Sequence, residues 1–239
     1  MFAGPNGSGK SSIQSVIGRE LLGVYINPDD IEKSIRERDM LDLRAYGVNT
    51  TADEILPFFL NSTLLIKAGL IDEAAELRFF EGRLSFFAVM VNSYFASVAA
   101  DFIRHKLLES RTSFTFETVM SSPDKVRFLA KAKAKGFRIY LYFVATEDPQ
   151  INISRVRHRV KMGGHDVPED KIISRYQRSL TLLMDAVRLS DRAYIFDNTS
   201  HEQIWLAEVT DGRMLEMKSA QMPQWFKLAL WDKFVARVI

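Results

Sequence analysis

The feature that most constrains this chain is a glycine-rich segment near its start, Gly4-Pro5-Asn6-Gly7-Ser8-Gly9-Lys10-Ser11. The segment satisfies the pattern G-x-x-x-x-G-K-[ST] at every fixed position. It lies between the apolar pair Phe2-Ala3 and a stretch from Ser12 to Leu22 whose apolar residues recur at helical spacing. Glycines let the backbone curl so that successive N–H groups point inward at a phosphate group. The sequence therefore predicts a buried strand, a phosphate-binding loop and a helix, in that order.

The same pattern predicts how a nucleoside triphosphate and a metal ion are held. The ammonium group of Lys10 reaches the β- and γ-phosphate oxygens, and the hydroxyl group of Ser11 is a ligand of Mg²⁺. We therefore expect ATP or GTP, together with Mg²⁺, as the cofactors. The residues of this segment predicted to contact the nucleotide are Gly4, Asn6, Gly7, Ser8, Gly9, Lys10, Ser11 and Ser12.

The composition is that of a folded protein without thiol chemistry. Of the 239 residues, 47% are hydrophobic and 26% are charged, which excludes a disordered or collagen-like chain. The formal net charge is only +2, so we expect no broad basic field of the kind that drives non-specific nucleic-acid binding. The absence of cysteine excludes disulfides and thiol nucleophiles and fits a cytoplasmic location. The four histidines are too scattered to indicate a metal cluster.

Short apolar runs alternate with helical patterns along most of the chain. Strands are predicted at residues 2–3, 24–26, 113–117, 137–145 and 193–196. Since parallel strands need crossover connections, this alternation indicates an α/β fold with a P-loop NTPase-type parallel sheet flanked by helices. Residues 204–217 predict a small hairpin, and residues 225–238 predict a closing helix. We treat residues 1–239 as a single domain with a helical insertion at about 51–110, where no strand pattern appears.

One uncharged stretch raises the question of a membrane span. No charged residue lies between Leu84 and Ala100, which approaches the roughly 20 apolar residues of a spanning helix. Polar residues within the stretch and charged flanks favour instead a buried helix or one covered in a homodimer. The residues before Gly4 also leave no room for a signal peptide. We therefore expect neither a membrane partner nor secretion.

Carboxylates follow two of the predicted strands, at the edge of a parallel sheet where ligands bind. Asp29 and Asp30 come after the second strand, so either could face the γ-phosphate, or both could simply favour the positive end of a helix. Glu117 ends the strand at 113–117, where a carboxylate can orient Mg²⁺ and its water or hold an acceptor hydroxyl group. The alternative for Glu117 is an exposed acid at a strand end.

A group of cations precedes a glycine pair on one predicted helix. The cations are Arg155, Arg157, Arg159 and Lys161, and the pair is Gly163-Gly164. Arg155 and Arg159 share a helix face and repel each other unless an anion lies opposite. The glycine pair could be the hinge of a lid whose arginines neutralise the charge of the transferred phosphoryl group. The alternative is a solvated basic face.

Five segments together make the chain resemble the zeta toxin family of P-loop kinases. They are AGPNGSGKSS, YINPDDI, SFTFETVMS, RVRHRVKMGGHDVPEDKIISRYQRSL and AYIFDNTS. The resemblance implies a single P-loop kinase domain that uses ATP or GTP to phosphorylate a small acceptor, such as the 3′-hydroxyl group of the amino sugar in UDP-N-acetylglucosamine. It also leaves room for an antitoxin protein as a partner.

The resemblance also implies roles for individual residues. Asp29 would be the base beside the acceptor hydroxyl group, and Glu117 and Thr118 would contact the acceptor. The residues implied on the nucleotide side are Lys10 and Arg155, and we also expect Arg159 to contact the nucleotide. Two features depart from the family's pattern. His165 stands where a second catalytic arginine is expected after the lid, so either Arg175 or Arg159 replaces that arginine or the γ-phosphate is stabilised less strongly. The insertion at about 51–110 is longer than expected.

Two other functions also fit the phosphate-binding loop. One is a nucleotide-hydrolysing switch that needs no acceptor. The other is a nucleic-acid end kinase, which the near-neutral charge and the lack of an aromatic and basic stripe disfavour. A transporter ATPase is disfavoured because no Leu-Ser-Gly-Gly-Gln segment occurs. We therefore expect a nucleoside triphosphate and a small-molecule acceptor as ligands, and no nucleic acid.

Overall fold

The computed structural model describes residues 1–14, 17–164, 166–200 and 202–236. Its strands are β1 (Phe2–Ala3), β2 (Val24–Ile26), β3 (Met40–Asp42), β4 (Arg78–Phe80), β5 (Arg83–Ser85), β6 (Phe114–Thr118), β7 (Tyr140–Ala145), β8 (Arg192–Asp197), β9 (Ile204–Thr210) and β10 (Met214–Met217). Its α-helices are α1 (Lys10–Gln14), α2 (Pro28–Arg38), α3 (Ala52–Leu60), α4 (Thr63–Ala68), α5 (Ile71–Ala75), α6 (Ser93–Glu109), α7 (Pro123–Ala134), α8 (Pro149–Lys161), α9 (Glu169–Leu189), α10 (Gln224–Phe226) and α11 (Asp232–Val235).

Seven strands form a mostly parallel sheet, flanked by helices, in the order β10-β9-β8-β7-β1-β6-β2. The pairs β1–β6, β1–β7, β2–β6 and β7–β8 are parallel. The hairpin of β9 and β10 extends the sheet beside β8 in the antiparallel sense. The predicted α/β class, the five predicted strands and the C-terminal hairpin are confirmed, whereas the sequence did not indicate that the hairpin joins the main sheet.

The chain divides into two compact units, and the first consists of Met1–Gly18 with Glu117–Ile239. Its core follows the strands, where Phe2, Phe143 and Ile195 are at most 1% exposed. β7 carries an almost continuous apolar run, which suits a parallel strand buried on both faces. The ring of Trp225 in α10 packs against Phe143, with ring centroids 6.2 Å apart.

The second unit, Arg19–Phe116, contains α2 to α6 and a small antiparallel sheet in the order β3-β5-β4. Its core includes the aromatic rings of Phe59, Phe86 and Phe95, each at most 1% exposed. Their ring centroids lie between 6.1 and 6.5 Å apart, the spacing of edge-to-face and offset pairs. The insertion predicted at about 51–110 lies within this unit.

The prediction that the insertion lacks strands is wrong for β4 and β5. These strands pair in antiparallel register, and Glu81 and Gly82 form the turn between them. Both turn residues have positive φ, 48° and 76°, as the tight turn of a two-residue hairpin requires. A single glycine after an acidic residue was too weak a turn signal beside the apolar spacing of the surrounding helices. The helices α3, α4, α5 and α6 agree with the helical spacing predicted in the insertion.

The single helix predicted over Leu84–Ala100 is also wrong in its first part. Asn92 accepts hydrogen bonds on Oδ1 from the N–H groups of Tyr94 (3.0 Å) and Phe95 (3.4 Å), so α6 begins only at Ser93. In the segment before it, Phe87 and Met90 are each 87% exposed rather than buried. Within the described residues, every helix is too short or too polar to cross a bilayer.

Three other element boundaries differ from their predictions. α1 ends at Gln14, and the continuation predicted to Leu22 falls partly outside the described residues, with a 3₁₀ turn at Arg19–Leu21. β7 begins at Tyr140 rather than Phe137, because the N–H of Ile139 is bound by the Asp191 carboxylate at 2.7 Å instead of a strand partner. The closing helix contains a π-helical turn at Lys227–Trp231, and its predicted end at 238 is outside the described residues.

Candidate functional site

The predicted phosphate-binding loop leaves β1 and ends where α1 begins, at Lys10. Within the first unit, Ala3 of β1 pairs with Thr118 of β6 on one side and with Phe143 of β7 on the other. The carboxyl end of a central parallel strand is where open α/β sheets bind ligands. The predicted strand, loop and helix are thus confirmed, and the loop lies at the ligand edge of this unit.

Glycines of the loop adopt conformations that other residues reach only with strain. The φ angle is 142° at Gly4, 72° at Gly7 and 94° at Gly9. A Cβ atom at Gly4 would lie 2.0 Å from the carbonyl oxygen of Val144, and one at Gly9 would lie 2.1 Å from Nδ2 of Asn198. The loop therefore needs glycine both for its turns and for the close approach of neighbouring groups.

Polar groups of the loop suit a phosphate ligand. Lys10 Nζ donates hydrogen bonds to the carbonyl oxygens of Gly4 (2.9 Å) and Pro5 (3.0 Å), which places the ammonium group across the start of the loop. Among the described side chains, Ser8 Oγ and Asn6 Oδ1 are buried polar atoms without a hydrogen-bond partner. Buried polar groups of this kind are costly unless a ligand or water satisfies them. A hydroxyl donor and an ammonium group from the same segment suit the oxygens of a phosphate group.

The serines that follow Lys10 start α1. Ser11 and Ser12 are both exposed in its first turn. An exposed Ser11 hydroxyl group fits the predicted role as a magnesium ligand, since Mg²⁺ in such sites takes few protein ligands and completes its shell with phosphate oxygens and water. The residues present therefore fit a magnesium–nucleotide complex.

Two asparagines from distant parts of the chain hold the loop, and sequence reasoning missed both. Asn152 of α8 is fully buried and donates from Nδ2 to the carbonyl oxygen of Asn6 at 2.5 Å. Asn198, which follows β8, donates from Nδ2 to the carbonyl oxygen of Ser8 at 2.7 Å. Thr146 donates its hydroxyl hydrogen to Oδ1 of Asn152. The position of Asn198 directly after a predicted strand was the one signal that could have indicated it.

Arg155 of α8 joins the same group through Asn198. Its Nη1 donates to the Asn198 carbonyl oxygen at 2.7 Å, and its Nη2 donates to the Ser200 carbonyl oxygen at 3.2 Å. The structure thus places Arg155 next to a residue that touches the loop, and its role on the nucleotide side stays a prediction. It also gives Arg155 a second task, which is to fix the segment after β8.

The other cations of α8 have different surroundings. Nε of Arg157 donates to Glu169 Oε1 at 2.9 Å, an exposed ion pair that links α8 to α9. The N–H of Gly164 donates to the Arg159 carbonyl oxygen at 2.9 Å and folds the chain back over the end of α8. His165 lies outside the described residues. Its replacement by Arg175 or Arg159 and the lid itself stay predictions.

Glu117 and Thr118 end β6 beside the start of the loop. In the neighbouring strand, Phe2 pairs with Glu117 and Ala3 pairs with Thr118. Glu117 is only 8% exposed, so the alternative of an exposed strand-end acid is excluded. Thr118 Oγ1 accepts a hydrogen bond from the N–H of Met120 at 2.9 Å. The structure therefore brings both predicted acceptor contacts to the edge where the loop lies.

The buried carboxylate of Asp197 at the end of β8 anchors the segment that carries Asn198. Asp197 is 3% exposed and accepts hydrogen bonds from the Thr199 N–H (3.0 Å) and hydroxyl group (2.8 Å). It also accepts a hydrogen bond from Nε1 of Trp225 at 2.7 Å. These contacts give the carboxylate a structural role.

Asp29 and Asp30 lie in the second unit, in the first turn of α2. The helix is capped by Asn27, whose Oδ1 accepts the Asp29 N–H at 2.9 Å. Both aspartates are exposed at the surface. The pKa of Asp30 is nevertheless raised, first by partial burial of the Asp30 carboxyl group and then by the negative charge of Asp29. The pKa of Tyr46 is raised by its burial and by the charge of Asp30. The structure thus confirms the predicted helix start, and Asp29 stays the predicted base.

Solved structures with a similar fold cover nearly the whole chain. The complex of AvrRxo1-ORF1 and AvrRxo1-ORF2 with sulphate ions has a TM-score of 0.53 at 14% identity and covers 98% of this chain and 62% of that chain. A native structure of the same complex has a TM-score of 0.52 at 16% identity, with coverage of 92% and 60%. At these identities the likeness concerns the fold, and it agrees with the mostly parallel sheet.

Sequence comparisons identify the family. An uncharacterised protein of Haemophilus influenzae is 31% identical over 72 residues, which are 30% of this chain. The match covers 51% of that relative, so the chain spans about half of its length. The family model of the zeta toxins matches residues 88–210, more than half of the chain, and does not include the loop assigned above from its own geometry. This protein therefore belongs to the zeta toxin family.

Proposed function

We propose that this protein is a kinase that uses ATP or GTP with Mg²⁺ to phosphorylate a hydroxyl group of a small metabolite, UDP-N-acetylglucosamine first. The observation that carries the proposal is the loop after β1, with its positive-φ glycines, the Lys10 ammonium group across its start and Arg155 joined to it through Asn198. Membership of the zeta toxin family supports a phosphotransferase rather than a transporter ATPase.

On the nucleotide side, cationic and hydroxyl groups have separate tasks. Lys10 would exchange its two carbonyl partners for β- and γ-phosphate oxygens, and Ser11 would hold Mg²⁺. Arg155 and Arg159 would add positive charge where negative charge develops on the transferred group. The bound magnesium–triphosphate complex supplies the phosphoryl group.

On the acceptor side, carboxylate and hydroxyl groups orient the attacking oxygen. Glu117 and Thr118 would form hydrogen bonds with the acceptor, which the burial of Glu117 at the end of β6 supports. Asp29 would hold the acceptor hydroxyl group and take its proton as the oxygen bonds to phosphorus. The position of Asp29 in the first turn of α2, directly after β2, supports this role.

We further propose a cytoplasmic reaction, where nucleoside triphosphates are available, and an antitoxin protein as a partner. The cysteine-free composition supports the first point, and membership of a toxin family supports the second.

The test is the release of ADP from Mg-ATP with increasing UDP-N-acetylglucosamine. The proposal predicts that release rises with the acceptor and that a phosphorylated sugar nucleotide accumulates in equal amount. The Lys10→Ala variant is the matched control and should release no ADP above background. Release that is the same at every acceptor concentration would instead indicate a hydrolysing switch.

A further inference from the structure

The peptide groups of the phosphate-binding loop are held from outside by side-chain amides. Asn152 binds the carbonyl oxygen of Asn6, and Asn198 binds that of Ser8. The described residues contain no cis peptide bond, so each carbonyl group points opposite to the N–H group of the next residue. Each amide that holds a carbonyl outward therefore directs the N–H of Gly7 or Gly9 the other way.

Gly7 and Gly9, which follow these carbonyl groups, have no space beside their Cα atoms for a side chain. A Cβ atom at Gly7 would lie 2.6 Å from the carbonyl oxygen of Asn152, and one at Gly9 would lie 2.1 Å from Nδ2 of Asn198. The asparagines thus pack directly against the two positive-φ residues whose N–H groups they orient. This close fit keeps the loop in one conformation.

The side-chain amide of Asn152 and the backbone of Asn198 are themselves fixed by surrounding structure. The Thr146 hydroxyl group binds the Oδ1 of Asn152, and the Thr146 carbonyl oxygen accepts the hydroxyl hydrogen of Tyr176 at 2.6 Å. The backbone N–H of Asn198 donates to the Ala145 carbonyl oxygen at 2.8 Å. Side chains held in this way can preorganise donors before a ligand arrives.

We infer that Asn152 and Asn198 are positioning residues that aim the Gly7 and Gly9 N–H groups at the β-phosphate group of the nucleotide. The inference rests on the proposed function, since it concerns the loop that would bind the triphosphate. In this motif the loop N–H groups form the phosphate cradle, so their orientation should matter for ligands with a β-phosphate group and little for those without one. The asparagines should therefore set the preference for nucleoside diphosphates over monophosphates.

The experiment compares the dissociation constants of Mg-ADP and AMP by calorimetry. The variants are Asn198→Ala and Asn152→Ala, with Ser190→Ala as the control. Ser190 is fully buried, and its hydroxyl group donates to the Ala186 carbonyl oxygen at 2.8 Å, a hydrogen bond at the end of α9. The control should lower the melting temperature and leave the preference for ADP over AMP unchanged.

Each asparagine variant should weaken ADP binding about tenfold, because one hydrogen bond to a charged ligand is misaligned, and should change AMP binding by less than about twofold. Equal losses for both nucleotides, or an unchanged preference in folded variants, would overturn the inference while leaving the proposed function in place. Should the buried Asn152→Ala variant fail to fold, the half-buried Asn198→Ala variant decides the question. A wild-type protein that binds neither nucleotide would overturn the proposed function and the inference with it.

Discussion

At the scale of single residues, the ammonium group of Lys10 combines a structural and a binding task. It holds the carbonyl oxygens of Gly4 and Pro5, and in this motif it is the cation nearest the β- and γ-phosphate oxygens. Lys10→Ala should therefore reduce acceptor phosphorylation by about 10²-fold or more and weaken ATP binding. Rate measurements with a nucleotide titration check this. Unchanged turnover in a folded Lys10→Ala protein would contradict the assignment of this segment as a phosphate-binding loop.

Arg155 is expected to act mainly on the transition state. Its guanidinium group supports the segment after β8 through the carbonyl groups of Asn198 and Ser200. Arg155→Ala should lower kcat by about 10²-fold and ATP affinity by less, since charge on the transferred group develops during the reaction. Arg155→Lys keeps the positive charge but loses the forked donor of the guanidinium group, so its kcat should lie between those of the wild type and Arg155→Ala. Equal losses in kcat and affinity would make Arg155 an ordinary binding residue.

The neighbouring aspartates Asp29 and Asp30 provide a matched pair of variants. Asp29→Asn keeps the shape of the side chain but cannot accept a proton, so acceptor phosphorylation should fall by about 10² to 10⁴ while Mg-ATP affinity stays within a few-fold. Asp30→Asn should cost far less, because the expected role of Asp30 is only to favour the positive end of α2 from its first turn. Both variants are compared by nucleotide titration and ADP release. An inactive Asp30→Asn with an active Asp29→Asn would reverse the base assignment.

At the scale of elements, Glu54 connects α3 to α6 in the second unit. Its carboxylate accepts hydrogen bonds from the Thr50 hydroxyl group (2.6 Å), the Lys106 ammonium group (3.0 Å) and the Thr51 N–H (3.3 Å). These contacts, with that from Thr50 the strongest, lower the pKa of Glu54 from 4.5 to about 2. The charged form is therefore favoured in the folded unit.

This pKa shift predicts a pH dependence of stability. Because the pKa is lower in the folded than in the unfolded chain, the contribution of Glu54 is complete above pH 4.5 and is lost as the pH falls towards 2. Glu54→Gln should therefore lose less unfolding free energy than the wild type over that range, as measured by urea titration. Thr50→Val should change the slope in the same direction. Parallel wild-type and Glu54→Gln curves would contradict the prediction.

Elements with strong local signals were predictable, and those that depend on distant partners were not. The apolar run that forms β7 and the glycine pattern before α1 each predict their structure from a few contiguous residues. β3 has three residues, and it exists because Met40 pairs with Ser85, far along the chain. Sequence patterns of single segments carry no information on such pairing.

The residues of the candidate site likewise divide into those that the sequence predicts and those that only the structure shows. Loop residues such as Lys10 follow from a contiguous motif, and Glu117 follows from its place at a strand end. Asn152 and Asn198 are far from the loop in sequence. In the sequence they are therefore indistinguishable from ordinary polar residues near a helix start and a strand end. Only the folded structure places them against Gly7 and Gly9.

At the scale of the whole molecule, the charge balance and the family both favour a small acceptor. The net charge of +2 provides no broad field for a nucleic acid, and the chain belongs to the zeta toxin family. The first unit contains the loop, Glu117 and Arg155, and the second contains Asp29 and the insertion at about 51–110. We therefore expect the protein to transfer a phosphoryl group to a metabolite rather than merely to hydrolyse the nucleotide.

The most direct measurement is mass spectrometry of a metabolite extract after incubation with the protein, ATP and Mg²⁺. A metabolite, UDP-N-acetylglucosamine first, should gain one phosphoryl group with the wild-type protein and not with Lys10→Ala or Asp29→Asn. Accumulation of ADP and inorganic phosphate in equal amounts, with no metabolite gaining a phosphoryl group, would contradict this expectation.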